Sequence, residues 1–277
     1  MRIRDVRLTA ADISWNVVLY LFAAAMVFPF IWLLSTSLKS PDEVLSWPPR
    51  ILPHALTIEN YRAVFSTIDV GRYFLNTFVF ASVSTISIIL TSALAGYVFA
   101  KFRFRFKEGF FMVMISTMMV PFQCYMIPLY LMMVKIRAVD TYMGLQLPYL
   151  VQGMGTFYMR QNFETLPDEY IEAARLEGAS EMRIFWQVAL PCLRSALGGL
   201  AIFIFASTWG NLVWPLIITS SEKNFVMELG LTMFQQRYTV NYGEYTAAAI
   251  VAIVPVLAFF TVFRRQIMEG ITLSGIK

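Results

Sequence analysis

The sequence predicts an all-α, polytopic membrane protein with six transmembrane helices. The chain of 277 residues is 58% hydrophobic and 14% charged, and its mean hydropathy is +0.61. A soluble domain has roughly 25% charged residues, so this composition indicates a bilayer environment. Six long stretches contain no Asp, Glu, Lys or Arg, and each supplies most or all of the roughly 20 residues that an α-helix needs to cross a bilayer. The alternating pattern of a membrane β-barrel does not occur in the sequence.

The six uncharged stretches give the predicted spans in chain order. The first follows Met1-Arg2-Ile3-Arg4 but is longer than the signal-peptide core of about 7–15 residues, so we expect a retained span. In the second, Ser92 and Gly96 form a small-xxx-small pair that favours helix packing. In the third, Pro121 and Pro128 predict a kink. The stretches are residues 13–38, 73–100, 109–134, 141–159, 195–221 and 245–263.

The distribution of Lys and Arg predicts the orientation of the chain. Most of them fall on the side of both termini, and the short connection 101–107, KFRFRFK, is strongly basic. Both termini should therefore be cytoplasmic, together with the polar segment 160–194. The predicted organisation is an N-terminal part (1–69) with the first span and an external loop, a core (70–265) with five spans and a cytoplasmic loop at about 160–191, and a cytoplasmic tail (266–277).

The sequence lacks the residues on which several functional classes depend. No ionisable residue lies inside a predicted span, which argues against an ion-coupled secondary carrier but leaves that class open. The single histidine, His54, lies in the predicted external loop, and the two cysteines have no metal-ligand spacing. There is no G-x-x-x-x-G-K-[ST] phosphate loop, so any ATP must bind to another chain. We expect no catalytic residue, no metal site and, with a net charge of only +4, no nucleic-acid partner.

A polar segment, EYIEAARLEGASEMRIFWQVALP at 169–191, separates two apolar stretches. Thr165 and the three residues after it fit a capping box, so a helix is predicted to begin there. Gly178 is placed to end that helix in a left-handed turn. Ser180 can then cap a second short helix that runs from Glu181 to about Leu190.

The first of these two helices has the features of a docking element. Ala173 and Ala174 have little side-chain bulk, so another surface could approach the backbone closely. Tyr170, Ile171 and Leu176 are the expected apolar anchors, which favours docking of the helix in a groove of a partner. The alternative is an amphipathic linker that lies on the lipid headgroups. Glu172 and Arg175 are expected to pair on the helix surface.

The polar segment resembles the E-A-A-x-x-x-G-x(9)-I/V-x-L-P signature of the permease subunits of bacterial ABC importers. Its matching positions are Glu172, Ala173, Ala174, Gly178, Val188, Leu190 and Pro191. Further segments are similar to the carbohydrate-uptake branch, the maltose-type permeases: MVPFQCYMIPLYL, TYMGLQLPYL, WPLIITSSEKNFVMELGL and GITLSGIK. This resemblance implies the type I ABC importer permease fold in the cytoplasmic membrane of a prokaryote.

The resemblance also implies partners and roles. Such a permease works with a second permease subunit, generally a different chain, with two ATPase subunits that hold ATP and Mg, and with an extracytoplasmic sugar-binding protein. No cofactor is then expected in this chain. The implied ATPase-coupling residues are Tyr170, Ile171, Glu172, Ala173, Ala174 and Gly178. The implied tail contact to the ATPases is formed by Gly275, Ile276 and Lys277. One departure is Gly210-Asn211 after Trp209, where the family often has Asn and an acidic residue.

Sugar recognition requires amide hydrogen bonds and aromatic faces inside the spans. The candidate residues of the substrate pathway are Asn76, Gln123, Gln152, Trp209, Asn211 and Trp214. For each of them, an interhelical hydrogen bond of about 0.6 kcal/mol is the alternative role. The leading function is import of a carbohydrate. The alternatives are the same architecture for a polyol, glycerol phosphate or an amino-acid derivative, a membrane scaffold or receptor, and a secondary carrier.

Overall fold

The computed structural model of the chain describes residues 10–235 and 241–274 and is built from helices. The α-helices are α1 (Ala10–Ser37), α2 (Pro41–Val44), α3 (Glu59–Thr67), α4 (Val70–Lys101), α5 (Lys107–Met118), α6 (Phe122–Lys135), α7 (Tyr142–Gln146), α8 (Gly153–Glu164), α9 (Asp168–Leu176), α10 (Glu181–Ile184), α11 (Leu190–Cys192), α12 (Arg194–Trp209), α13 (Val213–Ile218), α14 (Met227–Leu231) and α15 (Tyr242–Ser274). Tighter or wider helical turns lie at Leu147–Tyr149, Phe185–Ala189, Glu222–Asn224 and Thr232–Phe234. The predicted all-α fold is confirmed.

Continuous membrane-crossing helices are fewer than the six predicted. Among the described residues, Ser14–Ser37 and Val70–Lys101 are long and apolar enough to cross a bilayer, with mean hydropathies of 2.5 and 2.0. Two bent helix pairs raise the number to at most four if each pair is one span. The predicted fourth span is divided between α7, a short turn that contains Pro148, and α8. The sixth falls within α15, whose apolar part in the described residues is Tyr242–Ala258.

The predicted third span is broken at Pro121. Helices α5 and α6 meet there at an angle of 96°. Pro121 precedes α6 in an extended conformation, with φ −58° and ψ 140°. Because proline has no N–H and disfavours a helical residue before it, α5 cannot continue through this position. Pro128, in contrast, lies inside α6, which continues past it.

Two compact units make up the structure, one from the described residues of 1–68 and 231–251 and the other from those of 69–230 and 252–274. In the first unit, the amide of Asn60 donates hydrogen bonds to the carbonyls of Ser37 and Lys39, at 2.9 and 2.8 Å. These bonds attach α3 to the end of α1, and the ammonium of buried Lys39 donates to the carbonyl of Arg50.

In the second unit, α4 and α8 pack closely along small residues. A Cβ atom on Gly96 would lie 2.7 Å from Cβ of Met159 and 2.8 Å from the backbone nitrogen of Arg160. Ser92 is fully buried beside Gly155 of α8. The predicted packing role of Ser92 and Gly96 is therefore confirmed.

An aromatic cluster lies at the end of α4 that meets the polar segment. Buried Tyr97 contacts Phe102, Phe163 and Phe185, with ring centroids 5.3–5.7 Å apart. Tilted and edge-to-face ring pairs of this kind are favourable beyond the area that they bury. Since Phe163 lies in the last turn of α8 and Phe185 directly follows α10, the cluster packs α8 and the second half of the polar segment against α4.

Candidate functional site

Helix α9 begins later than the capping-box pattern predicts. Its first residue is Asp168, and Pro167 occupies the N-cap position with no side-chain hydrogen bond. The hydroxyl of Thr165 instead donates to the carbonyl of Asn162 at 2.8 Å. The prediction of Thr165 as the N-cap is therefore wrong, because α8 extends to Glu164 and Thr165 satisfies a carbonyl of its last turn.

The glycine corner after α9 is confirmed. Gly178 has φ +81°, a conformation that L side chains rarely adopt. Its N–H donates to the carbonyl of Arg175, and the N–H of Ala179 donates to that of Ala174, each at 3.0 Å. These two bonds form a Schellman motif. Ser180 caps α10 by accepting a hydrogen bond from the N–H of Arg183, as predicted.

The second short helix is not regular. The predicted helix from Glu181 to about Leu190 is divided into α10, a wide π-helical turn at Phe185–Ala189 and α11. The N–H of Leu190 bonds to the carbonyl of Phe185, five residues earlier. Pro191 has no N–H to offer the carbonyl four residues before it, so a regular helix would lose a hydrogen bond there.

The expected coupling residues on α9 divide between a buried and an exposed side. The side chain of Ile171 is only 2% exposed and packs in the core cluster with Tyr97 and Ile184, so it attaches α9 to the body of the protein. In contrast, Tyr170 is 57% and Leu176 is 90% exposed. Glu172, Ala173 and Gly178 are exposed as well, and Ala174 is half-buried. We call the surface formed by Tyr170, Ala173 and Leu176 the α9 face.

Ion pairs fix α9 from both ends. At its start, Asp168 lies 2.6 Å from the ammonium of Lys101, whose side chain is only 7% exposed. At its end, Arg175 pairs across the glycine corner with Glu181 at 2.6 Å, rather than with Glu172 as predicted. Hydrogen bonds from Lys101 and Arg175 lower the pKa of the Asp168 and Glu181 carboxyls, respectively. Both carboxyls are thus ionised at neutral pH.

A cleft of about 660 Å³ lies beside the bend between α5 and α6. Its lining is apolar and aromatic, with few polar groups: Ile88, Thr117, Met118, Val120, Phe122, Tyr125, Leu129, Pro148, Tyr149, Val151, Gln152, Gly153 and Met154. Among the residues that the structure describes, no Lys, Arg, Asp or Glu is part of this lining. An apolar cleft with a few convergent polar groups is the usual form of a small-molecule site.

The structure brings only part of the predicted substrate pathway to this cleft. Gln152 lines it. Asn211 donates a hydrogen bond to the hydroxyl of Tyr149, which also lines it. Gln123 is exposed on α6 and is not part of the lining. Tyr125 and Tyr149 were not among the predicted residues of the substrate pathway, although both aromatic side chains fall in segments that carry the family resemblance.

The other three candidates have structural partners. The amide nitrogen of Asn76 donates to the carbonyls of Lys223 and Phe225 at 2.9 and 2.8 Å. The indole N–H of Trp209 donates to the carbonyl of Ala252 at 3.1 Å, and that of Trp214 to the carbonyl of Gly144 at 3.1 Å. All three side chains are buried, so their hydrogen bonds hold helices and loops together.

A carboxylate outside the spans organises a loop that the sequence analysis did not identify. Asp140 adopts φ 56° and accepts hydrogen bonds from the N–H groups of Ser220 and Ser221, both at 3.0 Å. The hydroxyl of Ser221 and the amide of Asn224 also donate to this carboxylate. These bonds, first those of Ser221, hold the pKa of Asp140 well below its usual range.

The predicted tail contact and possible metal sites complete the comparison of sequence and structure. Gly275, Ile276 and Lys277 lie outside the described residues. Within the described residues, no group of three or more His, Cys, Asp or Glu could hold a metal ion.

Known proteins are similar to this chain in sequence and in fold. The family model described as binding-protein-dependent transport system inner membrane component matches residues 88–267. The arabinooligosaccharides transport system permease protein AraQ of Halalkalibacterium halodurans is 31% identical over 98% of this chain and 99% of its own length. The lactose transport system permease protein LacG of Rhizobium radiobacter is 30% identical over 94% of each chain.

A solved structure matches as well. It belongs to a bacterial ABC transporter involved in the import of the acidic polysaccharide alginate, with a TM-score of 0.80 over 96% of this chain and 98% of the other, at 21% identity. This likeness shows an ABC importer permease fold. Membership of the family places the chain in the inner membrane, where it works with other components of a transporter. The chain belongs to the family of inner membrane components of binding-protein-dependent transport systems.

Proposed function

We propose that this chain is the permease subunit of an ATP-binding-cassette importer that moves a sugar or oligosaccharide across the cytoplasmic membrane by alternating access. Family membership and the relatives named for arabinooligosaccharides and lactose support this function. The cleft also suits a sugar, because Tyr125 and Tyr149 offer aromatic faces and Gln152 offers an amide. In this proposal the chain itself catalyses no reaction.

The observation that carries the proposal is the α9 face. Ile171 and the two ion pairs hold α9 firmly, while Tyr170 and Leu176 remain exposed on either side of Ala173. An exposed apolar surface on a rigid helix is typical of docking in a groove. The proposed partner is one of two ATPase subunits, which bind ATP and Mg and move α9 when they close. Glu172, Ala173, Ala174 and Gly178 are the proposed coupling positions.

The remaining assembly follows from the same proposal. A second permease subunit, generally a different chain, completes the pathway, and a sugar-binding protein delivers the solute from outside. In this proposal the α9 face lies in the cytoplasm, because the basic connection 101–107 lies at the same end of α4 as Lys101 and Asp168. The distribution of Lys and Arg along the sequence supports a cytoplasmic position for both termini as well. Gly275, Ile276 and Lys277 are the proposed tail contacts to the ATPases.

A phosphorylated solute such as glycerol phosphate fits the cleft less well. Phosphate oxygens are bound in proteins by Arg, Lys or clustered N–H groups, which compensate the cost of removing the charge from water. The lining of the cleft contains no cationic side chain. A neutral sugar needs no such compensation, so we favour the carbohydrate.

The test is coupling in the assembled transporter, reconstituted with its partner subunits and binding protein. Ala173→Leu adds bulk at an exposed position, so it should leave folding unchanged and obstruct docking by about 1–3 kcal/mol. Solute-stimulated ATP hydrolysis should then fall by roughly 5- to 150-fold. Ala173→Ser, which is nearly isosteric, is the matched control and should retain activity.

Three results would contradict the proposal. Absence of solute-dependent ATP hydrolysis in the unaltered complex would indicate a membrane scaffold. Accumulation of solute by this chain without any companion subunit would indicate a secondary carrier. Normal sugar uptake by a correctly assembled Ala173→Leu transporter would remove the role assigned to the α9 face.

A further inference from the structure

The connection between α4 and α5 contains four cations in the sequence KFRFRFK, and the structure gives them two different roles. The ammonium of Lys101 pairs with Asp168. The ammonium of Lys107 donates to the carbonyls of Phe102 and Ala100, at 3.2 and 3.4 Å, and so satisfies the C-terminal end of α4. Both lysines are thus engaged by the protein itself.

The two arginines are exposed and free of ion pairs. Arg103 and Arg105 are both exposed, and neither forms an ion pair with any residue that the structure describes. The guanidinium of Arg105 lies 4.8 Å from the ring centroid of Phe106, so it is held over an aromatic face. This contact leaves its N–H groups available to an outside acceptor.

Aromatic side chains alternate with these arginines and are also exposed. Phe106 has φ 63°, which is uncommon for an aromatic residue, and its ring is 66% exposed. Phe104 leans on Phe99 of α4, with ring centroids 5.9 Å apart, and is exposed on its other side. We call residues 103–106 the RFRF loop.

The position of the RFRF loop identifies what can cover it. The loop joins the end of Val70–Lys101, a membrane-crossing helix, to the start of Lys107–Met118, the first half of a broken span. We therefore place the loop at the level of the lipid headgroups, since a helix of 32 residues is long enough to carry its end beyond the hydrocarbon. At that depth, aromatic rings can enter the interface while guanidinium groups reach the phosphates.

We propose that the RFRF loop is a binding site for anionic phospholipid, with Arg103 and Arg105 on the headgroup phosphate and Phe104 and Phe106 among the upper acyl chains. Charge complementarity selects the lipid, because both arginines are exposed and form no ion pair with the residues that the structure describes, whereas Lys101 and Lys107 are already engaged. A planar guanidinium suits phosphate, to which it can donate two parallel hydrogen bonds. The site is separate from the cleft, whereas Arg103 also lines a small pocket with Asp168 and Glu172 of α9.

The experiment measures lipid contact at the loop itself. A Phe104→Trp reporter is introduced into the complete transporter in bilayers, and the fluorescence of the parent without it is subtracted. The bilayers contain either dibrominated phosphatidylglycerol or dibrominated phosphatidylcholine. A brominated lipid quenches the fluorescence of the introduced tryptophan when it contacts the indole ring. We expect stronger quenching by the brominated phosphatidylglycerol at equal mole fraction, since each arginine contributes about fivefold to anionic-lipid preference.

Matched variants separate the roles of the cations. Arg103→Gln with Arg105→Gln should lower the preference for phosphatidylglycerol by about 25-fold, so that both brominated lipids quench alike. Each single variant should lower it by about fivefold. Lys107→Gln removes a positive charge from the same connection but not from the site, so it should preserve most of the preference.

Three outcomes would overturn the proposal. Equal quenching by the two lipids in the parent would show an interface without charge selection. Absence of quenching by either lipid would show that a protein partner covers the loop. An equal loss of preference in Lys107→Gln would show a diffuse effect of net charge rather than a site at the two arginines.

Discussion

Replacement of Gly178 tests whether the glycine corner transmits motion. A Cβ atom at this position would meet nothing within 4 Å, so Gly178→Ala introduces no steric clash with the rest of the protein. Its cost comes only from φ +81°, which disfavours an L residue by about 1–2 kcal/mol. The corner should therefore open roughly 5- to 30-fold more often than in the parent.

The assay is solute uptake per ATP hydrolysed by the reconstituted transporter. Gly178→Ala should lower this ratio, and Gly178→Asn should lower it less, because Asn tolerates the left-handed region. Gly178→Pro should abolish coupling while the chain still inserts. Proline fixes φ near −65° and removes the N–H that bonds to the carbonyl of Arg175.

Gly109→Ala is the matched control for this series. Gly109 also has open space at its Cβ position, but it lies in α5 without a positive φ. Alanine there should be neutral or stabilising by up to about 1 kcal/mol. If a correctly assembled Gly178→Pro transporter imported solute normally, or if Gly109→Ala lowered coupling as much as Gly178→Ala, the reasoning from backbone conformation would be refuted.

Two further predictions concern stability. Gly96→Ala would push a methyl group against Met159 in the α4–α8 contact and should lower the free energy of unfolding by about 1–3 kcal/mol. Thermal unfolding of the purified protein measures this change, and an unchanged midpoint would contradict the close packing. Asp140→Asn should lower stability by about 1–3 kcal/mol at pH 7 through weakened hydrogen bonds. Because the folded pKa of Asp140 is depressed, its contribution is present above the unfolded pKa of about 3.9 and is lost as pH falls below it. The midpoints of parent and variant should thus converge on acidification, and a constant difference would exclude ionisation as the cause.

Local backbone chemistry accounts for what the sequence predicted well. The left-handed turn at Gly178 and the cap at Ser180 depend on a few neighbouring residues, and the long apolar stretches predict helices by composition alone. The kink at Pro121 also has a local cause. Such features are visible in a sequence because the residue type itself restricts the conformation.

Contacts between distant parts of the chain account for what the sequence could not predict. Ile171 and Leu176 are both apolar residues of one short helix, yet only the packing of α9 against the aromatic cluster buries the first and exposes the second. Tyr149 and Asn211 meet although 62 positions separate them. Among the described residues, fewer helices cross without a break than the uncharged stretches predict, because apolar composition sets which segments enter the bilayer, not where a helix breaks within it.

The bend between α5 and α6 has a consequence for hydration. Residues 119–121 leave the helical hydrogen-bonding pattern within an apolar segment, and Pro121 offers no N–H. Peptide groups released in this way are not tolerated against acyl chains, which supply no donors or acceptors. Since Val120 lines the cleft together with Met118 and Phe122, the peptide groups that leave the helical pattern at the bend require a wet surface on this side, and the bend thereby favours water over lipid in the cleft.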